Sequence, residues 1–468
     1  MTSDARPTSA FADDALGADD AVGLAARLHR GEVSADEVRA AVAERVARVD
    51  PILRGLALDR LADPVPGRPD GPLTGVPMLV KENTDVAGWP TTNGSSAYVA
   101  EPAPAHAEVT EQLLDLGVAL LGSTRMPEFG LNATTEFVDA EPTRNPWNTA
   151  YSSGASSGGS AVLVAAGAVP LAHANDGGGS IRIPAAACGL VGLKPSRGRT
   201  ALNAQGRQMP INLVSDGVVT RSVRDTAAVL GEIDRRRRNP ALPPIGLVDG
   251  PARRRLRVGL VLESPAAGPV DEETRAAVLA TAAALERQGH VVEPHTLDVG
   301  TQFVEDFLVY WGLLAFGIVK GGRYGFPEFD ASRLDPLTHG LHRHFLTMAP
   351  RRPGFLRRLK QVAKRYDGEF VHHDVLLSPV LAHRTPELGR LHPTVPFDEL
   401  RQRLVNYVGF TPLQNVAGAP AVALPGGRTA DGLPVGVQLA GAVGDERTLL
   451  ELAYLLEAER PWPLLGDG

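Results

Sequence analysis

Apolar residues recur at helical intervals among charges over 21–49, at Leu24, Leu28, Val33, Val38, Val42 and Val46. That spacing predicts amphipathic helix. Ser34 followed by Glu37 is a capping-box pattern, which starts a second helix after Gly31. A Pro/Gly loop follows over 63–71, then a short apolar strand over 76–80 that ends at Lys81. An amphipathic helix is expected over 106–116, and a strand bounded by glycines over 117–122. A small-residue helix over 160–167 can pack closely on a sheet, and another helix lies within 219–230. Residues 257–262, 272–288 and 290–294 read as strand, helix and strand, a second β-α-β unit. Strands are expected at 421–424 and 434–439, with a closing amphipathic helix over 446–457. The alternation of strand and helix favours a parallel or mixed sheet covered by helices.

Three stretches break the pattern. Residues 1–17 read as a flexible leader, and 234–255, with Arg235–Arg238, several prolines and Arg253–Arg255, as an exposed linker. Residues 301–370 mix Phe303, Phe307, Tyr310, Trp311 and Phe316 with His339, His342 and His344. This stretch reads as a helical cap over a substrate pocket, with core packing as the plainer alternative for each aromatic taken singly. No internal repeat is found.

At 468 residues the chain can bury a large core, and 43% hydrophobic with 22% charged residues is ordinary for a globular protein. A net charge of −7 argues against a general nucleic-acid role. No apolar run reaches the roughly 20 residues that span a bilayer. The start of the chain lacks the basic and apolar regions of a secretory signal, so a cytoplasmic enzyme is expected. The one cysteine, Cys188, sits in an apolar run and reads as a buried structural thiol.

Candidate chemistry concentrates in Gly154-Ala-Ser156-Ser157-Gly158-Gly159-Ser160 and Asp176-Gly177-Gly178-Gly179-Ser180-Ile-Arg182-Ile-Pro184. Glycines around a serine let backbone N–H groups approach a bound group, as an oxyanion site requires. Lys81, at the end of an apolar strand, could supply a base. Together these suggest acyl transfer by a serine enzyme without histidine in the relay. His372-His373-Asp374 lacks a companion cluster with ligand spacing, so no metal is expected. A phosphate-binding reading of 154–159 fails for want of G-x-x-x-x-G-K-[ST], and no cofactor is expected.

These blocks, with Gly75-Val-Pro-Met-Leu-Val-Lys81-Glu-Asn, Met126-Pro-Glu-Phe129, Cys188-Gly-Leu-Val-Gly-Leu-Lys194-Pro-Ser, and Thr411-Pro-Leu-Gln-Asn415 through Gly432-Leu-Pro-Val-Gly-Val-Gln438, resemble the amidase signature family over nearly the whole chain. The Asp-Gly-Gly-Gly-Ser form looks most like the bacterial branch of cyclic-amide and nylon-oligomer hydrolases. The resemblance implies one α/β/α domain over 1–468, a mixed sheet with helices on both faces and a catalytic core at 71–232. It also implies a Ser–cis-Ser–Lys triad, with Ser180 as nucleophile, Ser156 as bridge after a cis Ala155–Ser156 bond, and Lys81 as base. The backbone N–H groups of Gly177, Gly178, Gly179 and Ser180 are the implied oxyanion hole. Ser157, Asp176 and Arg182 read as supporting residues, His173 as a packed or hydrogen-bonded histidine, and Asn132, Tyr310 and Trp311 as candidate substrate contacts. Three positions depart from the family pattern: Ala155, Gly177 and Glu82. The expected substrate is a small-molecule amide, or an anilide, carbamate or cyclic amide. The alternative is a glutaminase subunit of a tRNA-dependent amidotransferase, which would need partner subunits. A homodimer is an expectation from the family alone.

Overall fold

The computed structural model describes residues 7–201, 206–207, 209–252, 254–264, 268–300 and 302–466. Positions 1–6 of the expected leader, Arg253 of the basic run and Thr301 of the expected cap lie outside the described residues. The strands are β1 Leu56–Asp59, β2 Pro77–Lys81, β3 Ala119–Thr124, β4 Leu171–Asp176, β5 Val191–Lys194, β6 Ser215–Thr220, β7 Arg257–Leu260, β8 Val291–Pro294, β9 Val375–Pro379, β10 Ala421–Arg428 and β11 Pro434–Ala440. They form one sheet in the order β1-β3-β2-β4-β6-β5-β10-β11-β9-β7-β8. The pairs β3–β2, β2–β4, β9–β7 and β7–β8 are parallel and the others antiparallel, so the expected mixed sheet is present.

Side chains alternate across the sheet, as strand geometry requires. Val191, Leu193, Val422, Leu424, Val437 and Leu439 share a core with the helices Val223–Arg236, Glu272–Arg287 and Glu446–Glu459. The opposite face carries the helices Gly158–Ala165 and Arg182–Cys188. There Gly192 and Gly436 allow close approach: a Cβ on them would lie 2.6 Å from Ala185 Cβ and 2.4 Å from Ala186 Cβ respectively.

The helix Ala35–Leu53 begins at the expected capping box, with Ser34 and Glu37 bonded reciprocally. The strand expected at 117–122 lies two residues later, because Gly117 takes a positive φ of 90° and ends the preceding helix. The helix expected within 219–230 starts only at Val223, where Ser222 caps it; Val219 belongs to β6. The 7–17 segment is held rather than flexible. Arg45, fully buried, donates to Ala12 O, Gly17 O and the Asp14 carboxylate, and Ala10 N–H bonds Ala166 O. The 234–255 stretch is likewise anchored, by buried Leu242, Ile245 and Val248, and the Asp234 carboxylate accepts from Ile245 N–H and Arg199.

The described residues of 301–370 fold as three α-helices, Phe303–Gly325, Pro336–Met348 and Phe355–Gly368, with short 3-10 turns between them, the first packing on both others. Among the described residues, no helix is long and apolar enough to cross a membrane.

Candidate active site

β2 and β4 are parallel neighbours, so their C-terminal ends lie side by side. Ligands commonly bind beyond such ends. Lys81 closes β2, and Asn175 and Asp176 close β4. Lys81 is fully buried, and its Nζ donates to Ser156 Oγ and to Asn175 Oδ1, each at 2.7 Å. Burial pushes the ammonium down from an ordinary 10.5 to about 7, against the opposing pull of Asp216, Asp176 and Glu82. The amine is therefore partly neutral near pH 7. The Ala155–Ser156 peptide is cis, as the resemblance implied.

Ser156 and Ser180 line one cavity of about 890 Å³, part of it open to solvent. Gly177, Gly178, Asn83, Asn132 and Asn175 share that wall, and Met126, Phe129, Leu213, Phe307, Trp311 and Leu314 supply most of the rest. None of the described lining residues is charged.

The 176–182 loop is built on a buried ion pair. Asp176 accepts from Arg182 Nε at 2.9 Å and Nη2 at 3.0 Å, and from Asn415 Nδ2 at 2.8 Å. Burial opposes ionisation here, but Arg182, Lys194 and Asn415 hold the carboxyl far below its usual range. Arg182 reaches on to Gln414, Gln438, Asn415 and Thr411 O. These bonds tie the 176–182 segment to Gln414, Asn415, Gln438 and Thr411. Thr411 Oγ1 donates to Gly178 O, which fixes the loop from the other side. Gly179 has a φ of 129°, which disfavours any side chain, and a Cβ there would lie 2.4 Å from Thr411 Oγ1.

One expected oxyanion donor is lost. Gly179 N–H donates to Asp176 Oδ1 at 2.7 Å and so faces the ion pair rather than the cavity. The N–H groups of Gly177, Gly178 and Ser180 have no acceptor among the described residues. Tyr310 is also corrected. It is fully buried in the core, and its hydroxyl donates to Ile211 O while accepting from Ile211 N–H. It does not line the cavity, whereas Trp311 does, on the face that also carries Phe307 and Leu314. Asn132 lines the cavity with both amide ends engaged, donating to Leu391 O and accepting from Ala133 N–H.

Ser157 is buried and its Oγ lies 3.4 Å from Asn175 O. His173 is buried, with its ring bonded to Asp216 and facing Lys81 N–H. Cys188 is buried, which pushes its thiol up, and it faces Ser153 O. Near β7, Asp374 accepts from Arg257 N–H and His373 packs on the His295 ring. Asn175 was missed in the sequence because an asparagine before an aspartate reads as turn; its partner Lys81 is 94 positions away.

The model of the family described as Amidase matches residues 26–450. The Mycobacterium leprae protein called "Putative amidase AmiC" is 47% identical over 98% of this chain and 99% of its own. The 6-aminohexanoate-cyclic-dimer hydrolase of Paenarthrobacter ureafaciens is 34% identical, covering 95% of each. A solved structure of 6-aminohexanoate cyclic dimer hydrolase complexed with substrate superposes with a TM-score of 0.84 at 29% identity, over 95% of this chain and 98% of that one. The chain belongs to the amidase family and is a hydrolase of amide C–N bonds.

Proposed function

We propose that Ser180 is the nucleophile of a Ser180–Ser156–Lys81 relay acting on neutral, apolar amides. The carrying observation is the 2.7 Å contact between buried Lys81 Nζ and Ser156 Oγ on the wall that Ser180 shares. Neutral Lys81 takes the Ser156 proton while Ser156 takes that of Ser180. Ser180 Oγ then bonds the acyl carbon. The carbonyl oxygen becomes an oxyanion facing the N–H groups of Gly177, Gly178 and Ser180. The proton returns from Lys81 through Ser156 to the leaving nitrogen, and the C–N bond breaks. Water enters by the same relay, and the acid leaves Ser180 free. Losing one oxyanion donor typically costs about 3–4 kcal/mol of transition-state stabilisation.

The substrate class follows from the walls. Free glutamine carries an ammonium and a carboxylate, and burying either without a partner is costly. No described lining residue carries a charge to pair with either, so the glutaminase alternative is disfavoured. Phe307, Trp311 and Leu314 suit an apolar acyl or amine group. Trp311→Ala should lower kcat/KM for long-chain or aryl amides at least about tenfold while sparing acetamide-sized ones. Equal loss across a panel of amides, or preferred turnover of glutamine, would defeat this reading.

A further inference from the structure

We infer that Asn83 is a specificity-determining residue that presents its amide N–H₂ to a hydrogen-bond acceptor on the substrate. The inference rests on the relay proposed above. A lysine amine has one lone pair, and in that relay it faces Ser156. Every other direction around Nζ is a donor. The Asn175 group 2.7 Å from Nζ must therefore be its carbonyl oxygen. That choice turns the Asn175 N–H₂ toward Asn83, where it meets Oδ1 at 3.0 Å. Asn83 Oδ1 is thereby used, and its Nδ2 is left with no protein partner among the described residues. Asn83 is half-buried and lines the cavity, whereas Asn175 behind it is buried.

Two amides thus transmit one orientation from the base to the cavity wall. The wall is otherwise largely apolar or occupied: Asn132, the other lining asparagine besides Asn175, has both ends bonded to the protein. A substrate oxygen placed over Asn83 satisfies its N–H₂, and a methylene there leaves that donor unpaired. Sites built to bond a polar group reject analogues that lack it.

The test uses the whole enzyme and neutral amides in matched sets, in which single methylenes of the acyl or amine chain are replaced by ether oxygen. In the wild type one ether position should raise kcat/KM about tenfold or more over its methylene parent. Asn83→Ala should bring that ratio to about one. Asn83→Asp keeps the acceptor for Asn175 but removes the outward donor, and it should erase the same gain. Fluorophosphonate labelling of Ser180 in each variant reports separately on the relay. No ether preference in the wild type, or a preference that survives both substitutions while Ser180 still labels, overturns the role of Asn83. Loss of Ser180 labelling in the wild type would instead overturn the relay on which it rests.

Discussion

Two lysines are fully buried in this fold, and both are pushed down to about 7. Burial is the main cause for each; for Lys194 the neighbouring Arg182 charge adds to it. Only Lys81 touches Ser156 and the cavity wall; Lys194 Nζ donates to Pro195 O. The two therefore separate catalysis from stability. Each folded value lies below the ordinary 10.5, so between about pH 7 and 10.5 the unfolded chain binds protons that the folded chain does not. Stability should rise with pH through that window, and the cost of burial is fully present below it. On the proposed relay the activity limb belongs to Lys81: kcat/KM should rise through about pH 7 as the amine loses its proton. Lys194→Met should reduce the rise of Tm between pH 7 and 9 to the part that Lys81 supplies, and leave the kcat/KM limb in place. A displaced limb in that variant, read from a pH–rate profile, would show that the limb does not report Lys81. The serines, glycines and lysine gathered at this cavity are legible in the sequence because several blocks recur together in the order that the family resemblance implies, where a lone glycine-serine loop would mark little. Asn175 and the inward turn of Gly179 N–H are not, since each is decided by a partner folded in from elsewhere.

At the level of elements, the helix Arg182–Cys188 sets where the loop carrying Ser180 sits. Its small residues rest on Gly192 and Gly436 of the sheet. Gly436→Val would drive a side chain into Ala186, and overpacking of this kind typically costs about 1–3 kcal/mol. Urea unfolding should register that loss. The resulting shift of the loop should lower kcat more than it raises KM, and unchanged stability and turnover would show that the contact is slack. The same element view explains what the pattern revealed. β2, β7, β8, β10 and β11 are apolar runs with turn signals, and they lie where expected to within a few residues. β4 was hidden because Leu171–Asp176 is buried along its whole length yet carries His173, Asn175 and Asp176. Their partners are Asp216, Lys81 and Asn415, at least 43 positions away in the chain, and Arg182, six positions past Asp176 and beyond the end of the strand. Period-two alternation cannot mark a strand of that kind.

Across the whole molecule, the sheet order brings together groups that are far apart in the chain: Lys81 with Ser156, and Asp176 with Asn415, 239 positions on. Of the helices of 301–370, Phe303–Gly325 supplies Phe307, Trp311 and Leu314 to the cavity wall. Their helical nature was legible, but the choice between Tyr310 and Trp311 was not. Neighbouring residues on a helix point about 100° apart, and only the packing of Phe303–Gly325 on the core decides which enters the pocket. The relay is the claim on which the rest depends, and it is tested most directly by intact-protein and peptide mass spectrometry after fluorophosphonate treatment. The account predicts a single adduct on Ser180, formed more slowly below about pH 7 and absent from Ser180→Ala. An adduct that maps to another residue, or one that persists in Ser180→Ala, would contradict it.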